Sequence, residues 1–223
     1  MPKRALSHLA LAAVASLALA ACDSDDGGEG AAAPADDGAE AACAEVAAPE
    51  PKQVEFRRPE RVLSRGEEAS AAVETNCGSF TIALDARHSP RTANSFAFLA
   101  EEGFYDDTLI HRIAPGFVIQ GGDPLGTGFG GPGYSVDEPP PQNTSYLTGV
   151  VAMAKAGDEP PGRSGSQFFI VTAPADAGLP PEYAVLGEVS DGADVVELIG
   201  ELGDASEQPS ETVVIESLTI ERG

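Results

Sequence analysis

From Ala71 onward the chain runs in short apolar stretches separated by turn residues. Ala71-Ala72-Val73-Glu74-Thr75 and Ser79-Phe80-Thr81-Ile82-Ala83-Leu84 are rich in β-formers and flank Asn76-Cys77-Gly78, which predicts a hairpin closed by a short turn. The period then lengthens. Ala93, Phe96, Ala97, Leu99 and Ala100 recur at helical spacing behind Ser89, a good N-cap, and Pro90, a good first helical residue, and Gly103 ends the run. Short β-like runs bounded by Gly or Pro follow at 109–113, 117–120, 150–153, 168–172 and 183–189. A second helix is expected at 193–202, which carries Val195, Val196, Leu198, Ile199 and Leu202, and a last strand at 212–220. About eight antiparallel strands and two helices predict a mainly β fold, a closed eight-stranded barrel capped by the two helices, because closure removes exposed strand edges.

The N-terminal part has a different texture. Lys3 and Arg4 precede an apolar stretch at 9–21, shorter than the ~20 strongly apolar residues of a spanning helix, so residues 1–21 read as an export signal. Leu19-Ala20-Ala21-Cys22 resembles the lipobox of bacterial lipoprotein precursors, in which the Cys is acylated and becomes the mature N-terminus. Cys22 is therefore expected to anchor the chain to a membrane of the cell envelope, with the folded part on the extracytoplasmic side; ordinary signal cleavage that leaves an incidental thiol is the alternative. Residues 22–50 are acidic and otherwise mostly Ala, Gly and Pro, too poor in apolar area to offset the entropy of ordering, and are expected to form a disordered tether. Residues 51–71 read as an extension leading into the barrel, and 72–223 as the folded domain.

Charge narrows the partners. Thirteen Lys and Arg against 36 Asp and Glu give −23, and a polyanion cannot release counterions by neutralising phosphates, so nucleic acid is excluded as a partner. The one local basic cluster, 57–65, is interrupted by Glu60. Three Cys are too few for a disulfide scaffold and lack the paired spacing of a zinc site, so no structural metal is expected. Once Cys22 is acylated, Cys43 and Cys77 remain as a pair in an oxidising compartment, where a disulfide is expected and two free thiols are the alternative.

Two familiar chemistries fail on context. Gly126-Thr127-Gly128-Phe129-Gly130-Gly131 has the spacing of a dinucleotide fingerprint, but Pro132 and Gly133 follow where a helix would have to open. Ser164-Gly165-Ser166-Gln167 is not a nucleophile elbow, and His111, between Ile110 and Arg112, reads as a core or hydrogen-bonded histidine rather than a general base. The informative stretch is His111-Arg112-Ile113-Ala114-Pro115-Gly116-Phe117-Val118-Ile119-Gln120-Gly121-Gly122-Asp123. Alternation puts Val118 and Gln120 on one strand face, and a cation from the neighbouring strand, Arg112, would make with Gln120 a polar hook at the edge of an apolar pocket.

That stretch resembles the signature of the cyclophilin family of peptidyl-prolyl cis-trans isomerases. The likeness continues in order through Gly149-Val150-Val151-Ala152-Met153-Ala154-Lys155-Ala156-Gly157, Ser164-Gly165-Ser166-Gln167-Phe168-Phe169-Ile170-Val171-Thr172 and Tyr183-Ala184-Val185-Leu186-Gly187-Glu188-Val189. The resemblance implies Arg112 as the catalytic cation and Gln120 as its hydrogen-bonding neighbour. It implies a proline pocket of Phe117, Val118, Phe169 and Leu179, beside Tyr183, and a peptide groove along Ala154, Lys155, Ala156 and Gln167. The substrates it implies are proline-containing segments of unfolded or exported proteins, handled by a monomer without cofactor or metal. Members often have Met where Val118 stands and Asn where Lys155 stands; where animal members have Trp before the residue matching Leu179 this chain has Gly178, and Tyr183 replaces a His. The missing indole implies weak cyclosporin binding more than lost catalysis. A membrane-anchored proline-peptide binder or holdase without turnover is the alternative reading.

Overall fold

The computed structural model describes residues 43–223, in which the alternating runs become eleven strands and two helices. Strands β1 (Ala69–Thr75) and β2 (Gly78–Leu84) form the expected hairpin, and Ala71, Val73, Phe80 and Ile82 turn inward and are buried. Helix α1 (Pro90–Glu101) follows at the expected place. Ser89 occupies the N-cap position without a side-chain capping bond; the Thr92 N–H donates instead to the Glu138 carboxylate at 2.7 Å, an anion well placed at the positive end of the helix. The chain continues through β3 (Thr108–Leu109), β4 (Arg112–Ala114), β5 (Val118–Gly121), β6 (Val136–Asp137), β7 (Val150–Met153), β8 (Arg163–Ser164), β9 (Phe168–Val171) and β10 (Val185–Asp191). Helix α2 (Ala193–Glu201) and β11 (Val214–Arg222) complete it.

The expectation of a closed eight-stranded barrel is corrected. Nine strands form one curled, open antiparallel sheet in the order β3-β11-β1-β2-β10-β7-β9-β5-β4, and β6 and β8 pair apart from it. The reason lies in the run at 109–113, which breaks into two strands. Its first half pairs with β11 and its second with β5, and at the break Ile110 N–H donates to Val213 O and His111 N–H to Gln120 O, both at 3.0 Å. The two edge strands are successive pieces of one segment and cannot lie side by side, so the half-barrel is bridged at its seam by continuous backbone rather than by a ladder. The paired residues of β6 and β8 number only two each, too few for alternation to show in the sequence.

Alternation divides the apolar residues between two sides of the sheet. Ile113, Ile119, Val151 and Ile170 face inward and join Phe96 and Leu99 of α1 and Val196 and Ile199 of α2 in the main core. Their chain neighbours Ala114, Val118, Ala152 and Phe169 face outward and build a second, smaller apolar cluster. The site lies there.

Residues 43–66 form a strap against the sheet and α1. Of the segment expected to be a free acidic tether, residues 43–50 are described, and their first residues are fixed to the domain. Cys43 is disulfide-bonded to Cys77, Ala44 N–H donates to Asn76 O, and the buried Asn76 amide reaches Ala44 O, Thr212 O and the Val214 N–H. Cys22 lies outside the described residues. Farther on, Lys52 N–H bonds Pro124 O and Phe56 N–H bonds Pro132 O, each at 2.8 Å, while the Phe56 ring packs edge-on against Phe98 at 5.4 Å. Asn94 of α1 receives the N–H groups of Val62 and Leu63. With a sequence separation of 34 between the bridged positions, the disulfide contributes at most about 4 kcal/mol by restricting the unfolded chain. Reduction is expected to lower the unfolding midpoint without abolishing the fold, and thiol titration of unreduced, denatured protein should find neither Cys43 nor Cys77 reactive.

Candidate active site

Sheet register assembles the outer cluster. Arg112 on β4 is paired with Gln120 on β5, Gln120 with Phe169 on β9, Phe169 with Ala152 on β7, and Ala152 with Val185 on β10. Directly opposed residues of antiparallel strands put their side chains on the same face, so this row runs from a cation through an amide to an aromatic ring and an apolar floor. Val118 stands in the next row between Ala114 and Val171. Phe117, Leu179 and Tyr183 close over it from loops. Beneath them the buried Tyr146 donates its hydroxyl to Tyr183 O at 2.7 Å and accepts from the Tyr183 N–H at 3.0 Å. The Phe169 and Tyr183 rings meet edge to face at 5.4 Å. The result is a firm apolar cluster beside a charge.

The polar side of the row is a chain of oriented hydrogen bonds. Arg112 Nη1 donates to Gln120 Oε1 at 3.2 Å, Gln120 Nε2 to Gln167 Oε1 at 3.0 Å, and Gln167 Nε2 to the carbonyls of Gly128 and Gly130 at 3.0 and 2.9 Å. Gln120, Gln167, Ala154, Lys155, Ala156 and the loop at 128–130 line a groove of about 400 Å³. The Lys155 side chain is 3% exposed and held in place: its ammonium is paired with Glu182 at 3.2 Å and bonded to Glu159 O at 3.1 Å, and it lies over the Tyr183 ring. A lysine at this position braces the groove wall.

Asp123 organises the glycine loop that receives Gln167. Its buried carboxylate accepts the N–H groups of Leu125, Thr127 and Gly128, and a Cβ at Gly130 would collide with it, which is why glycine stands there. Burial pushes its pKa up, but the hydrogen bonds from Leu125, Gly130, Thr127 and Gly128 outweigh it and hold the value below the ordinary one. A lowered folded pKa means that the contribution to stability is full above the ordinary carboxylate range and is lost as pH falls through the folded value. Asp123→Asn should therefore lose about 2–3 kcal/mol at neutral pH, and its deficit in melting temperature against wild type should shrink steadily below about pH 4. Thermal scans at stepped pH read this directly.

His111 has both ring nitrogens buried without a partner among the described residues, and burial lowers its pKa. One functional neighbour had no signal in the sequence: Glu207, whose carboxylate meets Arg112 Nε at 2.6 Å from 95 positions away. Tyr146 is the other, and only the sheet shows that it underlies Phe169 and Tyr183.

The curled sheet, its two helices and the outer row of cation, amide and ring define a protein with a held guanidinium beside an apolar, aromatic cluster. The family described as cyclophilin type peptidyl-prolyl cis-trans isomerase/CLD matches residues 70–220. Peptidyl-prolyl cis-trans isomerase A of Mycobacterium tuberculosis is 41% identical over 171 residues, 68% of this chain and 92% of its own. Peptidyl-prolyl cis-trans isomerase B of Streptomyces anulatus is 40% identical over 175 residues, 70% of this chain and 98% of its own. Among solved structures, a cyclophilin type isomerase of Cryptosporidium parvum superposes with a TM-score of 0.63 at 31% identity, covering 70% of this chain and 99% of its own. A second structure of that protein was obtained in the presence of the dipeptide Ala-Pro. The chain belongs to the cyclophilin-type peptidyl-prolyl cis-trans isomerases and is an enzyme of that class.

Proposed function

We propose that the enzyme accelerates X-Pro rotation in exported or cell-envelope proteins, working from a lipid anchor at Cys22, with Arg112 as the acting cation. The observation that carries the site assignment is the row Arg112, Gln120, Phe169: a guanidinium held by hydrogen bonds beside an apolar cluster of Phe117, Val118, Phe169, Leu179 and Tyr183. Rotation about an X-Pro bond is blocked by amide resonance, so no nucleophile is needed. As the bond twists, the prolyl nitrogen loses conjugation and its lone pair becomes basic. A guanidinium that donates to that lone pair stabilises the twisted state more than the planar one, which lowers the barrier. Phe169, Val118, Phe117 and Leu179 hold the ring while the preceding residue turns, and the groove along Ala154, Ala156 and Gln167 aligns the peptide.

The Ala-Pro dipeptide used with the Cryptosporidium parvum structure supports proline-peptide binding in this fold. The leader pattern ending at Cys22 and the disulfide at Cys43 support an oxidising, extracytoplasmic setting. Exchange NMR on one X-Pro peptide with the soluble chain tests the assignment: acceleration above the spontaneous rate is expected, and binding without acceleration would favour a holdase. Mass spectrometry of the native N-terminus tests the anchor, and an unmodified Cys22 would end that part of the reading.

A further inference from the structure

Glu207 sits in the turn between α2 and β11, where its backbone φ is +63°, a left-handed conformation that strains an L side chain. The turn is fixed from several directions. The Asp204 carboxylate accepts the N–H groups of Ser206 and Gln208 and the Ser206 hydroxyl, and the Glu207 N–H donates to Asp204 O. Glu207's own carbonyl accepts the N–H of Ile113, the residue next to Arg112, at 3.1 Å. Main chain and Asp204 thus build the turn, and none of these contacts requires a carboxylate at 207. Glycine would suit the backbone better. Strain that persists where the structure gains nothing locally points to a use elsewhere, and the Glu207 side chain ends on Arg112 Nε.

We infer that Glu207 is a positioning residue for isomerisation, holding the Arg112 guanidinium in the plane from which it serves the prolyl nitrogen. The inference rests on the reading of Arg112 as the acting cation. A free arginine spreads over many rotamers, whereas Arg112 is held at two points, Nε by Glu207 and Nη1 by Gln120, which fixes the plane of the fork. A guanidinium has five N–H groups, and two are engaged in this way, so three remain for substrate. The Glu207 side chain is 47% exposed, and an ion pair in that setting adds little to fold stability. Its value is orientation, and Gln at 207 would keep an acceptor for Nε while giving up the charge.

The test compares Glu207→Gly, Glu207→Gln and Arg112→Ala in kcat and KM on one X-Pro peptide, in melting temperature, and in the NMR signal of the Arg112 Nε–H. Glu207→Gly should melt at or above wild type, because the strain is relieved, yet lose about tenfold in kcat with KM nearly unchanged, and its Nε–H signal should broaden through exchange with water. Glu207→Gln should recover most of the rate and the signal. Activity and stability moving in opposite directions is an outcome that a merely structural role cannot produce. Full activity in Glu207→Gly beside a crippled Arg112→Ala would overturn the inference alone, and so would a rate increase, which would make the carboxylate a restraint on Arg112. Full activity in Arg112→Ala would instead remove the reading beneath it. Should Glu207→Gly fold poorly, Glu207→Ala decides: a lowered kcat with KM nearly unchanged and a broadened Nε–H signal are expected of it, and full rate with an unaltered signal would overturn the inference.

Discussion

Arg112→Ala is expected to lower kcat/KM on an X-Pro peptide by about 10²–10³, the loss seen when one preorganised transition-state donor is removed, while peptide affinity changes by less than about threefold. The asymmetry follows from where the cation acts. In the planar ground state the prolyl nitrogen is a poor acceptor, so on the proposed reading Arg112 contributes little to binding and engages fully only in the twisted state. Removing the side chain also leaves the half-exposed Glu207 carboxylate and the Gln120 amide to water, a small cost to the fold. Exchange NMR gives the rate and titration the affinity. An equal loss in both would show that Arg112 merely holds the peptide.

Phe169→Ala is expected to act differently, weakening binding and turnover together. The ring is 4% exposed, meets Tyr183 at 5.4 Å and Tyr146 at 6.4 Å, and is the apolar member of the row beside Gln120. On the proposed reading it grips the pyrrolidine in every state along the rotation, so its loss should cost about 2 kcal/mol in peptide affinity, near 30-fold, with kcat/KM falling in step. The same truncation opens a cavity in the outer cluster and should cost about 3–5 kcal/mol of stability by denaturant titration. Unchanged affinity in a folded variant would mean that the proline ring sits elsewhere.

Much of this was legible in the residues because the sheet repeats every two. The alternation in Phe117-Val118-Ile119-Gln120 puts Val118 and Gln120 on one face, and the structure places Val118 in the outer cluster and Ile119 in the main core. Both helices follow from their period and bounding residues. What stayed hidden depended on contacts between distant positions. The run at 109–113 looks continuous, yet it changes partner because β11, a hundred residues later, claims its first half. Lys155 reads as a groove residue and lines the groove, but its ion pair with Glu182 carries no signal in the sequence. The segment at 43–50 has the composition of a free chain; the disulfide expected from the cysteine count fixes its start, but the bonds between Ala44 and Asn76 carry no such signal. Glu207 stands in a polar turn indistinguishable by pattern from any other loop.

The placing of β11 between β3 and β1 bears on how the molecule comes into being. Ala69 is paired with Arg222, so the sheet joins the first strand of the domain to the last, and β3 too waits for that strand. Long loops must close before such pairings repay their entropy, which slows folding and leaves a chain emerging from synthesis unable to complete its sheet until the final strand arrives. In that interval the 18 prolines of the sequence lie in a flexible polypeptide whose X-Pro bonds interconvert in tens of seconds or longer. A newly made copy of this isomerase is thus, for a time, the kind of chain on which a finished copy works.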